Sequence, residues 1–124
     1  MRVMLLDDSP SIRTILRVFL GNLNAEFIEA GDGERALRLL RVMTPELVIA
    51  DVRMEPMDGI AFLKAVRTDP DERVRAVPVI LLTSDTKPEL EQEGRDAGAN
   101  DFVRKPVSGT RLMDTVNKVL GRAA

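Results

Sequence analysis

Val3-Met4-Leu5-Leu6-Asp7-Asp8-Ser9-Pro10 is the stretch that decides how this chain folds. Four consecutive apolar residues without polar alternation describe a short strand buried on both faces, as in a parallel sheet covered by helices. Two acids stop the run. Ser9-Pro10 then has the chemistry of a helix start, with a hydroxyl to cap free N–H groups and a proline at the first helical position. Ile12, Ile15, Leu16, Phe19, Leu20 and Leu23 follow at the spacing of one helical face.

The same unit recurs down the chain. Further strands are expected at residues 25–30, 47–50, 79–82 and Asp101–Arg104. Helices are expected at residues 34–43, at Gly59–Arg67, at Pro88–Ala97, and around Leu112, Val116, Val119 and Leu120. Residues 68–76 read as a polar connection, and Met54 and Met57 as loop packing. The helix at Pro88–Ala97 is the weakest, since Leu90 and Ala97 are nearly its only core candidates and Gly94 interrupts it. Strict alternation of five strands with five helices predicts right-handed crossovers and a doubly wound parallel α/β sheet, one domain spanning residues 1–124.

Composition narrows the chemistry. The chain has 124 residues, 44% hydrophobic and 31% charged, enough apolar material for one core. Lys+Arg is 18 against Asp+Glu 20, with no basic stripe, so direct nucleic-acid binding is not expected. The apolar runs at residues 3–6 and 79–82 hold four residues each, far below the roughly 20 that span a bilayer. Asp7 cuts short any signal-peptide core, and the reading is cytoplasmic with no membrane insertion. There is no Cys and no His, which excludes disulfides, thiol catalysis, imidazole acid–base chemistry, zinc ribbons and iron–sulfur clusters. What remains is carboxylates, hydroxyls, Lys and Arg, and the hard cations that oxygen ligands hold.

In a doubly wound sheet the working site lies beyond the carboxyl ends of the strands, at the switch point of strand order. The first strand ends in Asp7-Asp8, the third in Asp51, the fourth in Thr83-Ser84 and the fifth in Lys105-Pro106. With strand order 2-1-3-4-5, the first and third strands are neighbours about 4.8 Å apart. Asp7, Asp8 and Asp51 would then share one small volume, and three clustered carboxylates either take up protons or enclose a cation. A carboxylate can also serve as a nucleophile toward phosphorus, while a metal, an ammonium and a hydroxyl share the charge on the phosphoryl oxygens. Lys105 stands out because there are only four Lys, leaving 14 Arg among the 18 basic residues. Taken singly, each signal has an ordinary reading: Asp7-Asp8 as helix capping, Asp51 as a polar strand exit, Thr83-Ser84 as a turn, Lys105 as a solvated charge. Their joint placement on four strand ends is the specific signal.

These pieces, with Asp51-Val52-Arg53-Met54-Glu55-Pro56-Met57-Asp58-Gly59 and Phe102-Val103-Arg104-Lys105-Pro106, resemble the receiver domain of bacterial two-component response regulators, most of all single-domain regulators of the chemotaxis type. The resemblance covers the whole chain and implies a flavodoxin-like receiver fold. It implies that Asp51 accepts a phosphoryl group from a histidine kinase or phosphotransfer protein. Asp7 and Asp8 would hold Mg²⁺, with Mn²⁺ as a substitute, together with Asp51 and the backbone carbonyl of Arg53. Thr83 and Lys105 would bind phosphoryl oxygens, Phe102 would be the switching aromatic, and the Lys105–Pro106 peptide would be cis. Arg53 and Asp85 lie two residues beyond Asp51 and Thr83, where their charges would pair across the mouth of the site. The chain departs from the family in two places. Glu55 occupies the position where the family usually has proline, with Pro56 one place later, and Phe102 stands where many members have Tyr.

The expected function is a phosphorylation-dependent signalling switch rather than an enzyme. Its output face would be the fourth helix (Pro88–Ala97), fifth strand and fifth helix, which would contact a downstream protein or a second copy. Three alternatives stand beside it. A small Mg²⁺-dependent phosphohydrolase, by resemblance, would carry Asp-x-Asp and a cap insertion. A flavin or nucleotide module would need a Gly/Ser/Thr phosphate loop after the first strand. A phosphate-independent pseudo-receiver is the third.

Overall fold

The computed structural model describes residues 1–85 and 87–122; the last two residues of the expected domain lie outside the described residues. Five strands, β1 (Arg2–Leu6), β2 (Glu26–Ala30), β3 (Leu47–Asp51), β4 (Val79–Thr83) and β5 (Asp101–Arg104), form one sheet. All neighbouring strands are parallel, in the order β2-β1-β3-β4-β5. The helices are α1 (Pro10–Phe19), α2 (Gly33–Met43), α3 (Gly59–Arg67), α4 (Glu72–Arg75), α5 (Pro88–Ala97) and α6 (Gly109–Leu120). The expected strand order is the observed one.

Because side chains alternate along a strand, each strand feeds two cores. Met4, Leu6, Val48, Ala50 and Leu81 face α2, α3 and α5, packing with Ala36, Leu40, Phe62, Leu63 and Val66. Val3, Leu5, Leu47, Ile49, Ile80 and Leu82 face α1 and α6, packing with Leu16, Leu20, Leu112 and Val116. Both faces are covered, which is why β3 and β4 read as unbroken apolar runs. No helix among the described residues is long and apolar enough to cross a membrane.

The structure corrects the expected helix count from five to six among the described residues. The extra element, α4, lies inside the stretch expected to be a polar connection. It is a single turn, too short for a helical stripe to show. The Asp71 carboxylate caps it by accepting from the Arg73 N–H, and buried Val74 anchors it. Ile15, expected on the inner face of α1, is 42% exposed. Leu16 fills that face, while Leu20, at the helix end, and Leu23, expected on the same helix, enter the core from the cap and from a short 3-10 turn at Gly21–Leu23.

Helix starts follow local chemistry. Ser9, Asp32, Asp58 and Ser108 each cap the helix that follows by accepting a backbone N–H. At the start of α3 the helix runs unusually close to the end of β3. The Gly59 N–H donates to the Val52 carbonyl at 2.9 Å. A methyl group at position 59 would strike the Asp51 carbonyl and lie 2.9 Å from Val52 Cα. Alanine in place of a helical glycine normally gains up to about 1 kcal/mol. Here the overlap with backbone should reverse the sign, so that Gly59→Ala loses about 1–3 kcal/mol in urea denaturation. A variant as stable as wild type would show that the end of β3 can move away.

Candidate functional site

Register brings the acids together. Leu6 of β1 pairs with Ala50 of β3, so Asp7, the next residue, stands beside Asp51 at the strand end. One carboxylate oxygen from each of Asp7, Asp8 and Asp51 lies within 4.8 Å of the others. Asp7 and Asp51 are buried and Asp8 is exposed, so the cluster opens to solvent on one side. Lys105 follows β5 and reaches in, its Nζ 3.1 Å from Asp51 Oδ2 and 3.3 Å from Asp7 Oδ2. Its backbone N–H continues the ladder to the Thr83 carbonyl at 2.9 Å. The Lys105–Pro106 peptide is cis, as the sequence resemblance implies; Glu55–Pro56 is a second cis bond, outside those expectations.

The electrostatics follow from crowding charge into a buried corner. Burial pushes the Asp7 carboxyl above its ordinary range; the Ser9 N–H, donating to Oδ1 at 2.9 Å, pulls it back, and the Asp51 charge raises it again. Burial also opposes the Lys105 charge, but Asp51 and Asp7 outweigh it and hold the ammonium above its usual value. Three carboxylates against one ammonium leave an excess of hard anionic oxygens with an open side. That donor set fits Mg²⁺ or Mn²⁺, which keep waters and open positions, and it offers no soft ligand.

The remaining expected residues ring this centre. Buried Thr83 ends β4; its hydroxyl accepts from the Asp85 N–H at 3.0 Å, and none of its described hydrogen bonds reaches the three carboxylates. Arg53 and Asp85 pair at 2.8 Å, as expected from their positions. The Lys87 N–H, then Arg53, hold the Asp85 carboxyl below its ordinary range. Arg53 and Glu55 line a cleft of about 360 Å³ with Asp8, Met54, Asp58, Ile60 and Leu90. Met54 is buried core and Met57 lies over Gly33, which agrees with loop packing.

Phe102 is half-buried on β5, paired in register with Leu81, with the Arg95 guanidinium 5.2 Å from its ring centre. The ring rests against Gly94, where an added Cβ would come within 2.6 Å of it. Gly94 is therefore a seat for the aromatic rather than an interruption of α5. The sequence held a signal for it, because Leu90, Gly94 and Ala97 are spaced on one inward stripe.

A doubly wound sheet with this acidic corner, its lysine and its threonine has the layout of a signalling receiver domain. The family described as "Response regulator receiver domain" matches residues 3–117, and the chain belongs to it. The chain is 35% identical to the probable chemotaxis protein CheY of Rhizobium etli over 97% of this chain and 92% of that protein. It is 36% identical to the probable transcriptional regulator ycf27 of Guillardia theta, over 98% of this chain but 46% of that protein. The chain thus spans about half the length of several curated relatives. Among solved structures, the chemotaxis protein CheY4 of Vibrio cholerae superposes with a TM-score of 0.87 at 35% identity, covering 95% of this chain and 97% of that one. The receiver domain of a sensor histidine kinase from Pseudomonas aeruginosa PAO1 superposes at 0.85 with 25% identity, covering 97% of each; it is described with a magnesium ion coordinated in the active site cleft.

Burying the Asp7 charge opposes folding of the metal-free protein. A carboxyl with a raised folded pKa contributes a penalty that is absent below its unfolded value of 3.8 and complete above its folded value. In EDTA at pH 7, Asp7→Asn should therefore raise the thermal midpoint, and the gain should fade as pH drops toward 4. An unchanged or lowered midpoint at pH 7 would mean that the Lys105 contact outweighs burial.

Proposed function

We propose that the chain is a phosphorylation-dependent switch of a two-component phosphorelay, with residues 1–124 forming one receiver domain and Asp51 as its phosphoacceptor. The observation that carries this reading is the Asp51 carboxylate, held at a strand end between two further carboxylates and the Lys105 ammonium. An Asp51 oxygen attacks phosphorus, the new O–P bond forms, and the bond from phosphorus to the donor's imidazole nitrogen or acetate oxygen breaks with its electron pair on that leaving group. Asp8, Asp51 and the Arg53 carbonyl would hold the divalent cation, and Asp7 would hold it directly or through water. Bound there, Mg²⁺ or Mn²⁺ supplies positive charge opposite the phosphoryl oxygens. Lys105 neutralises a further oxygen, and the Thr83 hydroxyl turns from Asp85 to donate to another.

That turn couples the site to α5. The helix has Gly94 as its buried residue, and its N-cap Lys87 makes no side-chain cap bond, so no fully buried side chain anchors it. Movement of Thr83 and Phe102 would reshape the face made by α5, β5 and α6, where a downstream protein or a second copy would bind. The kinase and the phosphoryl donors that this reading requires are cytoplasmic.

Incubation with acetyl phosphate and Mg²⁺ should add one phosphoryl group by intact mass, absent without the metal and absent in Asp51→Asn. A folded wild type that stays unlabelled would favour the phosphate-independent receiver. Arg53 screens the mouth through Asp85, so Arg53→Ala should change the dephosphorylation rate while leaving labelling intact. An identical phosphoryl lifetime would remove the pair from any gating role.

A further inference from the structure

The loop between β1 and α1 carries two of the three clustered acids, and its backbone is braced from behind by charged groups outside the cluster. Arg13, on the first turn of α1, donates through Nη1 to the backbone carbonyl of Asp7. Through Nε it donates to Glu29 Oε1 at 2.9 Å, and the other Glu29 oxygen accepts from Arg17 at 3.2 Å. Glu29 belongs to β2 and lies in register with Leu5. The Arg13 side chain is only 16% exposed, so this is a partly desolvated pair rather than a loose surface contact.

Two more bonds complete the bracing of Asp7. Its N–H donates to the Ala30 carbonyl at 3.1 Å, and its Oδ1 accepts from the Ser9 N–H. Asp8 is different: it is exposed, and its carboxylate has no hydrogen bond or ion pair among the described residues. Its backbone is joined to Asp7 by one peptide. The carbonyl of that peptide is the group Arg13 holds.

We propose that Arg13, braced by Glu29 and Arg17, is a positioning residue for the cation site: it fixes the Asp7–Asp8 peptide plane and so aims the Asp8 carboxylate at the position shared with Asp51. This inference rests on reading the acidic cluster as a divalent-cation site. Arg13 forms no described bond with any of the three carboxylates, so it acts through backbone alone. Partners that orient a metal ligand typically account for 10–100-fold in affinity, and one that acts through the backbone belongs at the lower end, roughly tenfold.

Charge and positioning predict opposite signs. Removing the guanidinium leaves Glu29 less compensated and deepens the negative potential around the acids, which by Coulomb's law alone tightens cation binding. Loss of the peptide clamp loosens it. The test is titration of Mn²⁺ into the metal-free protein, with free Mn²⁺ read by electron paramagnetic resonance and folding checked by circular dichroism. Arg13→Gln should weaken Mn²⁺ binding roughly tenfold. Arg13→Lys keeps the charge but loses the planar fork, and it should fall between that variant and wild type. Arg41→Gln, which breaks an ion pair from a more exposed arginine to buried Asp69 between α2 and the α3–α4 loop, should leave Mn²⁺ affinity unchanged.

Equal or tighter binding in Arg13→Gln would overturn the proposal, as would an equal loss in Arg41→Gln, which would mark general loosening. If Arg13→Gln does not fold, Arg13→Lys decides alone, and wild-type affinity there would refute the clamp. Failure of the underlying reading looks different: wild type itself would not bind Mn²⁺, or Asp8→Ala would bind it as tightly as wild type does.

Discussion

Three carboxylates and one ammonium share the carboxyl edge of the sheet, and the rest of the structure is arranged around keeping them there. Ionised acids this close repel, and burial of Asp7 and Asp51 removes the water that would screen them. Lys105 offsets part of that cost through contacts to both. The ammonium arrives on the last strand and the first acids on the first strand, so the balance exists only in the assembled sheet. Charge crowded into a buried corner in this way is characteristic of positions kept for function.

The scaffold that bears the cost is apolar on both sides. Alternate residues of each strand enter one of two cores, so β1, β3 and β4 are clamped between helix layers. A slip of one residue would exchange those cores and move Asp7 away from Asp51. The precision of the acidic corner thus derives from side-chain alternation several residues away. Gly59 adds to it locally, since the absence of a side chain lets α3 start against the end of β3.

Burial is complete along β3 and sparse along α5. Every residue of β3 is buried, Asp51 at its end included. Around α5 the features are a half-buried aromatic seated on a glycine, a cation over its ring, and a helix start without a side-chain cap. Thr83 sits at the junction, last in β4 and bonded to the loop that enters α5. Thr83 thus joins the acidic corner to a helix with no fully buried side chain beyond its glycine.

The sequence by itself determined the alternation of strands and helices, the doubly wound class, and Asp7, Asp8, Asp51, Thr83 and Lys105 as residues at strand ends. Continuous apolar runs, a Ser-Pro start and acids at run ends are local patterns, and local patterns survive without coordinates. The single turn of α4 escaped because four residues carry no period, and Ile15 was misplaced because a helical face is wider than the groove it fills. Only the tertiary structure decided that Lys105 bridges Asp7 and Asp51, that Gly94 seats Phe102, and that Arg13 holds the Asp7 carbonyl. Those contacts join residues on different elements. Their existence depends on register and on the direction of side chains, which pairwise packing sets and composition does not.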